Sequence, residues 1–210
     1  MGNCLSHFKC VTNIAGISSL ILSFFPKILL KNAHVLRPLL NVSWGYLFGS
    51  TLWFTVFSEI GLLRGISRMK KIPSPENAEE AKKQLEEIQK NEPTFLKRNE
   101  DFSYFFSLST LFSSILLLVT VKLAYGNLQL RISSTVVMLA SLLNNLYLHK
   151  KLISIKVKKE ELYNNLITNK KSETIIADIK KNKREFHIYH GLSIIALYLS
   201  FFGLTPYIFT

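Results

Sequence analysis

The chain has 210 residues, enough for one domain or one compact bundle with extensions, and a formal net charge of +12 at pH 7. Hydrophobic residues make up an ordinary 48%, yet they are gathered into long runs while the 26 Lys/Arg and 14 Asp/Glu crowd the gaps, which is the patterning of a membrane protein. The basic residues stand between apolar runs rather than among aromatics on one surface, which argues against a nucleic-acid partner, and the two cysteines, Cys4 and Cys10, indicate neither a disulfide framework nor a zinc site.

In chain order, the opening MGNCLS fits the N-myristoylation pattern M-G-x-x-x-[ST] through Gly2 and Ser6, with Cys4 placed for a second, palmitoyl chain. Cys10 to Leu30 is an apolar run marred at its end by Pro26 and Lys27. Four further runs approach or exceed the roughly 17 to 25 residues that cross a bilayer: Leu39 to Leu63, Phe102 to Tyr125, Ile132 to Leu148 and Ile188 to Phe209. The connections differ in charge. Residues 64–101 hold nine Lys/Arg and eight Asp/Glu, residues 149–187 hold eleven and five, and the connection between them is marked only by Lys122 and Arg131. The two basic connections are expected in the cytosol. With four spans the N-terminus would lie outside, away from the acylating enzymes; with residues 10–30 inserted it returns to the cytosol. The alternatives are a surface-lying helix, a signal peptide, a mitochondrial presequence, or a chance match at MGNCLS.

The expected fold is therefore an all-α integral membrane bundle of four core transmembrane helices plus an N-terminal hydrophobic helix. Residues 1–31 form the acylation signal and that helix. Residues 32–210 form the four-span domain, with a charged helical insert at 70–94 and a basic cytosolic connection at 149–187. In the insert, Ser74-Pro75-Glu76 reads as an N-cap with proline at the first helical position, and the polar helix should end before Pro93. In the longer connection, Leu148, Leu152, Ile155, Leu162 and Leu166 would continue the third span as an amphipathic helix.

Two G-x-x-x-G pairs, Gly45/Gly49 and Gly61/Gly65, offer close helix approach, either within the bundle or by self-association. A polar cluster is expected near the cytosolic end. Glu59 belongs to the first span, Asn144 and Asn145 close the third, and His187 and His190 open the fourth, with Gly191 beside them as a packing joint. An acid in lipid must find a partner, so Glu59 should meet His190 or an asparagine, as a proton or cation relay or as a clasp that orients helices. His187-x-x-His190 lacks a third ligand, so no metal or cofactor is expected, and no nucleophile elbow, P-loop or HExxH appears.

Three stretches are similar to the transmembrane protein 205 family of small four-span proteins: Gly49-Ser50-Thr51-Leu52-Trp53 leading to Arg64 and Arg68, Phe102-Ser103-Tyr104-Phe105-Phe106, and Phe186-His187-Ile188-Tyr189-His190-Gly191-Leu192-Ser193. The resemblance runs from about Ala33 to Thr210 and implies the fold and membrane location, not a reaction. The chain departs from the family at Ser67 and at Leu148-His149-Lys150-Lys151, where the family has prolines, and at Glu59, where it has glycine. The expected function is a multi-pass membrane protein without catalytic activity, a scaffold or accessory factor in membrane organisation or trafficking. The alternative is a small transporter or channel using Glu59 and His190. The expected partners are the lipid bilayer and a second copy or another membrane protein, in the endomembrane system or plasma membrane.

Overall fold

The computed structural model describes the backbone of residues 2–25, 33–53, 74–75, 77–124, 126–168 and 173–209. All its elements are helical, with no strand among the described residues. We number them α1 (Gly2–Leu22), α2 (Ala33–Trp53), α3 (Ala78–Leu123), α4 (Leu128–Leu143), a π-helical turn (Asn144–Leu148), α5 (His149–Thr168), α6 (Glu173–Leu204) and a 3-10 turn (Thr205–Phe209).

Three long helical paths make the frame. Helix α3 has 46 residues, about 69 Å at 1.5 Å per residue. Its cap is Asn77, whose side-chain oxygen accepts from the Glu80 amide at 2.9 Å, so Ser74 is not the N-cap. Nor does the helix stop before Pro93. It runs through, making the charged insert and the second apolar run one element. Proline removes one backbone donor, a local cost that packing on both flanks outweighs. The second path is α4, the π turn and α5 in succession, which continues the third apolar run as its leucine spacing predicts; Leu148, Ile155, Leu162 and Leu166 are buried. The third is α6.

Helix α3 packs against α1, α2, α4 and α5, and α6 packs against α2, α4 and α5. Side-chain contacts fix the directions. Lys9 meets Ser103, Gly16 lies beside Thr110, and Leu20 packs with Leu117 and Val121, so α1 runs parallel to the second half of α3. Helix α2 runs the other way: Tyr46 stacks on Phe112 at 4.2 Å, Phe48 stacks on Phe201, and Trp44 Nε1 donates to the Leu204 carbonyl at 3.0 Å. Helices α1, α2, the second half of α3, α4 and the second half of α6 therefore alternate up and down.

Two stretches are long and apolar enough to cross a membrane, Glu100–Leu123 and Glu173–Ile208. That supports the all-helical expectation but leaves the four-span count open on this criterion. The obstacle at α4 is its length: 16 residues before the π turn reach about 24 Å, short of a hydrocarbon core of about 30 Å.

The helical frame has two halves with different burial. In the charged half, Ala81, Leu85, Leu162, Tyr163, Leu166 and Ile179 form an apolar core, with Glu79, Glu80, Lys82, Lys83, Glu161 and Lys180 exposed. In the apolar half the burial is mixed. Ser107, Thr110, Ser113, Ser134, Asn144 and Asn145 are at most 1% exposed, beside buried Leu116, Leu117, Val137 and Met138, while Ile14, Ile132, Leu139, Ile195, Leu199 and Phe202 are each about half exposed or more. A large apolar exterior is the arrangement water disfavours and lipid permits.

Candidate functional site

Serine and threonine along α3 fall at 103, 107, 110 and 114, spaced by four, three and four residues, which puts them on one helix face. That face turns inward. These four hydroxyls find partners, as groups without water must, whereas the buried Ser109 hydroxyl beside them has none among the described atoms. Thr110 and Ser114 donate to carbonyls four residues back, at 2.8 and 2.7 Å. Ser107 donates to Asn145 Oδ1 at 3.3 Å, Ser113 shares a 2.9 Å hydrogen bond with Ser141, and Ser103 lies 2.8 Å from His149 Nε2.

The π turn sets the centre of this seam. Adjacent residues on a helix point about 100° apart, so Asn144 and Asn145 serve different neighbours. Asn145 Nδ2 donates to Asn13 Oδ1 on α1 at 2.9 Å. Asn144 Oδ1 accepts from the Ser193 hydroxyl on α6 at 2.6 Å, and its amide donates back to the Ser193 carbonyl at 3.4 Å. One turn on, Lys9 Nζ donates to Ser103 Oγ at 2.9 Å. An ammonium only donates, so Ser103 accepts from Lys9 and has its own proton available for His149 Nε2. Three hydrogen-bonded sets thus lie along one seam, Lys9–Ser103–His149, Asn13–Asn145–Ser107 and Asn144–Ser193, and together they join α1, α3, the π turn with the start of α5, and α6. The seam ends against Leu117, Val121, Met138 and Leu142, a buried apolar cluster. Past this cluster a separate set, Thr120, Tyr207 and the Leu130 carbonyl, ties α3, the 3-10 turn and α4 together.

The expected cluster is divided by this geometry. Asn144 and Asn145 are its hub. His190 is not part of the seam: its ring stacks on Phe186 with centroids 5.6 Å apart. His187 is exposed and lines an open pocket of about 470 Å³ with Ser74, Lys180, Lys183, Arg184 and Ile188. Glu59, Gly61 and Gly65 lie outside the described residues, as does the Cys4 side chain; Gly2 is the first residue of α1. Cys10 is a free, exposed thiol. Among the described residues no group of three metal-ligating side chains occurs.

The glycine joints are elsewhere than the sequence motifs suggest. A Cβ built at Gly45, Gly49 or Gly191 meets no described atom within 4 Å. The close approaches are at Gly16, where a Cβ would stand 2.7 Å from Met138 Cε and 2.8 Å from Leu142 Cδ2, and at Gly203, 2.8 Å from Val137 Cγ2 and 3.3 Å from the Ser133 carbonyl oxygen. The expected packing joint at Gly191 is corrected accordingly: Ser193, two residues on, makes the contact through its hydroxyl. Lys9, Asn13, Ser103, Ser107, His149 and Ser193 are the site residues that motif reading passes over. The signal available for them was the Ser/Thr spacing inside the second apolar run.

A family model described as a domain of unknown function (DUF4149) matches residues 42–161, more than half the chain. The chain belongs to the DUF4149 family. The matched DUF4149 segment takes in most of α2, all of α3 and α4, the π turn and most of α5, so the asparagine hub lies within it while Lys9, Asn13 and Ser193 are outside. No curated protein and no solved structure matches the chain, and nothing in the family match ties it to the transmembrane protein 205 family.

Proposed function

We propose that this DUF4149 chain is a multi-pass membrane protein without catalytic activity, a scaffold or accessory factor in membrane organisation or trafficking. The observation that carries the reading is how closely the interior packs among the described residues. The polar seam is satisfied by its own members, and Leu117, Val121, Met138 and Leu142 fill the bundle beyond it. Such a seam orients helices: in lipid, hydrogen bonds and close van der Waals packing hold spans together, since apolar contact between helices gains nothing over lipid.

Alternation of α1, α2, α3, α4 and α6 supports five crossings, the four-span core with the N-terminal helix added. The 16 residues of α4 are extended by the five of the π turn, which gives it the length it lacks alone. The pairing of Lys9 with Ser103 sets the start of α1 at the end of the bundle from which the charged half extends. Basic connections belong in the cytosol, so the N-terminus is cytosolic and Gly2 and Cys4 are open to acylation. The resemblance to the transmembrane protein 205 family supports the same architecture, in an endomembrane or the plasma membrane. The helix faces at Gly45 and Gly49 suit a second copy or another membrane protein.

Metabolic labelling with a myristate analogue, lost in Gly2→Ala, together with protease protection of the N-terminus, tests the topology. Absence of label in the wild type, or an N-terminus on the far side, breaks it. The transporter reading has one observation in its favour, an ionisable Lys9 and His149 joined through Ser103 inside the bundle. Purified protein in liposomes decides between the two. Proton or cation flux above protein-free vesicles, abolished by Lys9→Gln or His149→Gln, replaces the scaffold by a transporter; background flux retains the scaffold.

A further inference from the structure

Helix α6 carries one continuous stripe that changes character along its length. Lys180, Arg184, Ile188, Leu192, Ile195, Leu199 and Phe202 follow one another at four- and three-residue steps, so they share a face. Its first part is cationic and its second part is apolar, with Ile188, Ile195 and Leu199 each at least half exposed. At the change lies the open pocket of about 470 Å³, lined by Lys180, Lys183, Arg184, His187, Ser74 and Ile188, with no carboxylate among these residues. On the neighbouring α5, burial holds the Lys159 ammonium below its ordinary range and Lys183 adds to the depression, while Glu160 and Glu87 act against it. Directly above His187 on the helix, Gly191 leaves a notch with no described atom within 4 Å of where a Cβ would be.

The geometry points to a binding site for an anionic phospholipid, its phosphate group in the cradle of Lys180, Lys183, Arg184 and His187 and one acyl chain against Ile188, Leu192 and Ile195. A cation cluster draws in phosphate, and Arg184 adds a planar fork that pairs two phosphate oxygens. Basic pockets at the membrane boundary take phosphoinositide-type headgroups for this reason. The apolar continuation separates a lipid from a free phosphate compound: a soluble headgroup would leave Ile188, Leu192 and Ile195 uncovered. The hydroxyl of Ser74 supplies a neutral donor to the same cradle. The inference rests on the reading of Glu173–Ile208 as a membrane span.

The test uses full-length protein purified in detergent and three probes: short-chain phosphatidylinositol 4-phosphate, its soluble inositol phosphate headgroup, and short-chain phosphatidylcholine. The expected order is phosphoinositide tightest, headgroup weaker, phosphatidylcholine weakest. Neutralising Lys180 and Arg184 together (Lys180→Gln, Arg184→Gln) should weaken the phosphoinositide by about fivefold per charge, roughly 25-fold in all. Both side chains are exposed, so thermal stability should hold. The same double neutralisation at Lys150 and Lys158, exposed lysines outside the pocket, should change binding by less than about twofold if the site is local. Should the pair fail to fold, Arg184→Gln alone carries the test at about fivefold. Equal binding by wild type and pocket variants overturns the site, as does equal binding of phosphatidylcholine. A headgroup that binds as tightly as the lipid overturns the assignment to lipid. Failure of the underlying span reading shows separately, as release of the protein from membranes by alkaline carbonate without detergent.

Discussion

The charged half and the apolar half are built from the same helices by different rules. Between Ala78 and Leu85 helix α3 buries Ala81 and Leu85 and exposes Glu79, Glu80, Lys82 and Lys83; between Ser103 and Ser114 the same helix buries Ser103, Ser107, Thr110 and Ser114 together with Phe105 and Phe106. In water the burial of apolar surface drives association, at about 25 cal/mol per Å². In lipid that drive is absent, and hydrogen bonds and tight packing remain to choose one arrangement of the spans. Buried hydroxyls therefore occur at one end of this continuous helix and not between Ala78 and Leu85.

Truncation of a core leucine should separate the halves most widely. Leu166→Ala in the charged half removes a side chain that is 3% exposed and should cost about 2 to 5 kcal/mol, whereas Leu199→Ala on the outer face of α6, 50% exposed, should cost under about 0.5 kcal/mol in a bilayer or detergent micelle. Thermal unfolding in detergent with hydrogen exchange read over residues 149–168 measures both. Equal losses would mean that the outer face packs against protein rather than lipid, and the comparison would fail.

Next in size are the glycines of the apolar half. Gly16→Leu and Gly203→Leu should each destabilise by about 1 to 3 kcal/mol through overpacking against Met138 and Leu142 or against Val137 and the Ser133 carbonyl. Gly45→Ala and Gly191→Ala should leave the monomer as stable as before or slightly more so, since alanine is the better helix former and meets no described atom. Detergent melting curves that rank the four in the reverse order would refute the packing scheme.

The hub should register a smaller loss. Asn145→Leu removes a donor to Asn13 and an acceptor for Ser107, and at an average of about 0.6 kcal/mol per hydrogen bond between spans the two together cost about 1 kcal/mol. The loss should fall on α1, seen as faster exchange or earlier proteolysis of residues 6–22 while the charged half stays intact. An undisturbed α1 would show that Asn145 does not clasp it.

The smallest effect is one of pH, confined to the charged half. Burial pushes the Tyr163 phenol up to about 12, where it also donates to Gln84 Oε1 at 3.0 Å. A raised folded value means that folding favours the protonated form. Its contribution is complete below about pH 10, the unfolded value, and is lost as pH rises towards 12. Hydrogen exchange of α5 at alkaline pH should show loosening in that window, diminished in Tyr163→Phe, with the apolar half unaffected. An unchanged alkaline profile in Tyr163→Phe would exclude Tyr163 as its source.

How far the sequence discloses this arrangement depends on the half. Helix content, the continuation of α4 into α5 and the inward side of that continuation follow from the spacing of Leu148, Ile155, Leu162 and Leu166, because burial in water writes a hydrophobic period. The run through Pro93 does not follow, since proline lowers local helix preference and only packing on both flanks overrides it. In the apolar half the outer face is as hydrophobic as any core, so hydropathy names the runs but not their inward sides. The inward sides are written instead in the serines and threonines of α3 and in Asn144 and Asn145. Asn13 and Lys9 belong to the same seam yet sit in a run that reads as an anchor or leader, so their partners appear only once α1 is seen against α3. The glycine motifs misdirect for a related reason. Gly45 and Gly49 satisfy a spacing, but which face a spacing serves is settled by neighbours far away in sequence, as Gly16 and Gly203 show.

Helix α3 spans the length of both halves in a single element of 46 residues. Mechanically it is a shaft with no coupling between its ends. A partner that grips the segment near Glu79 to Lys90 and twists or tilts it delivers that torque to Ser103 and Ser107 undiminished by any loop. The neighbouring path through the π turn has its one irregular joint at Asn144–Leu148, where a helix can change its winding by a residue at least cost. A load on the charged end of α3 therefore reaches the level of the asparagine hub through helix alone, and the joint beside it is the irregular one.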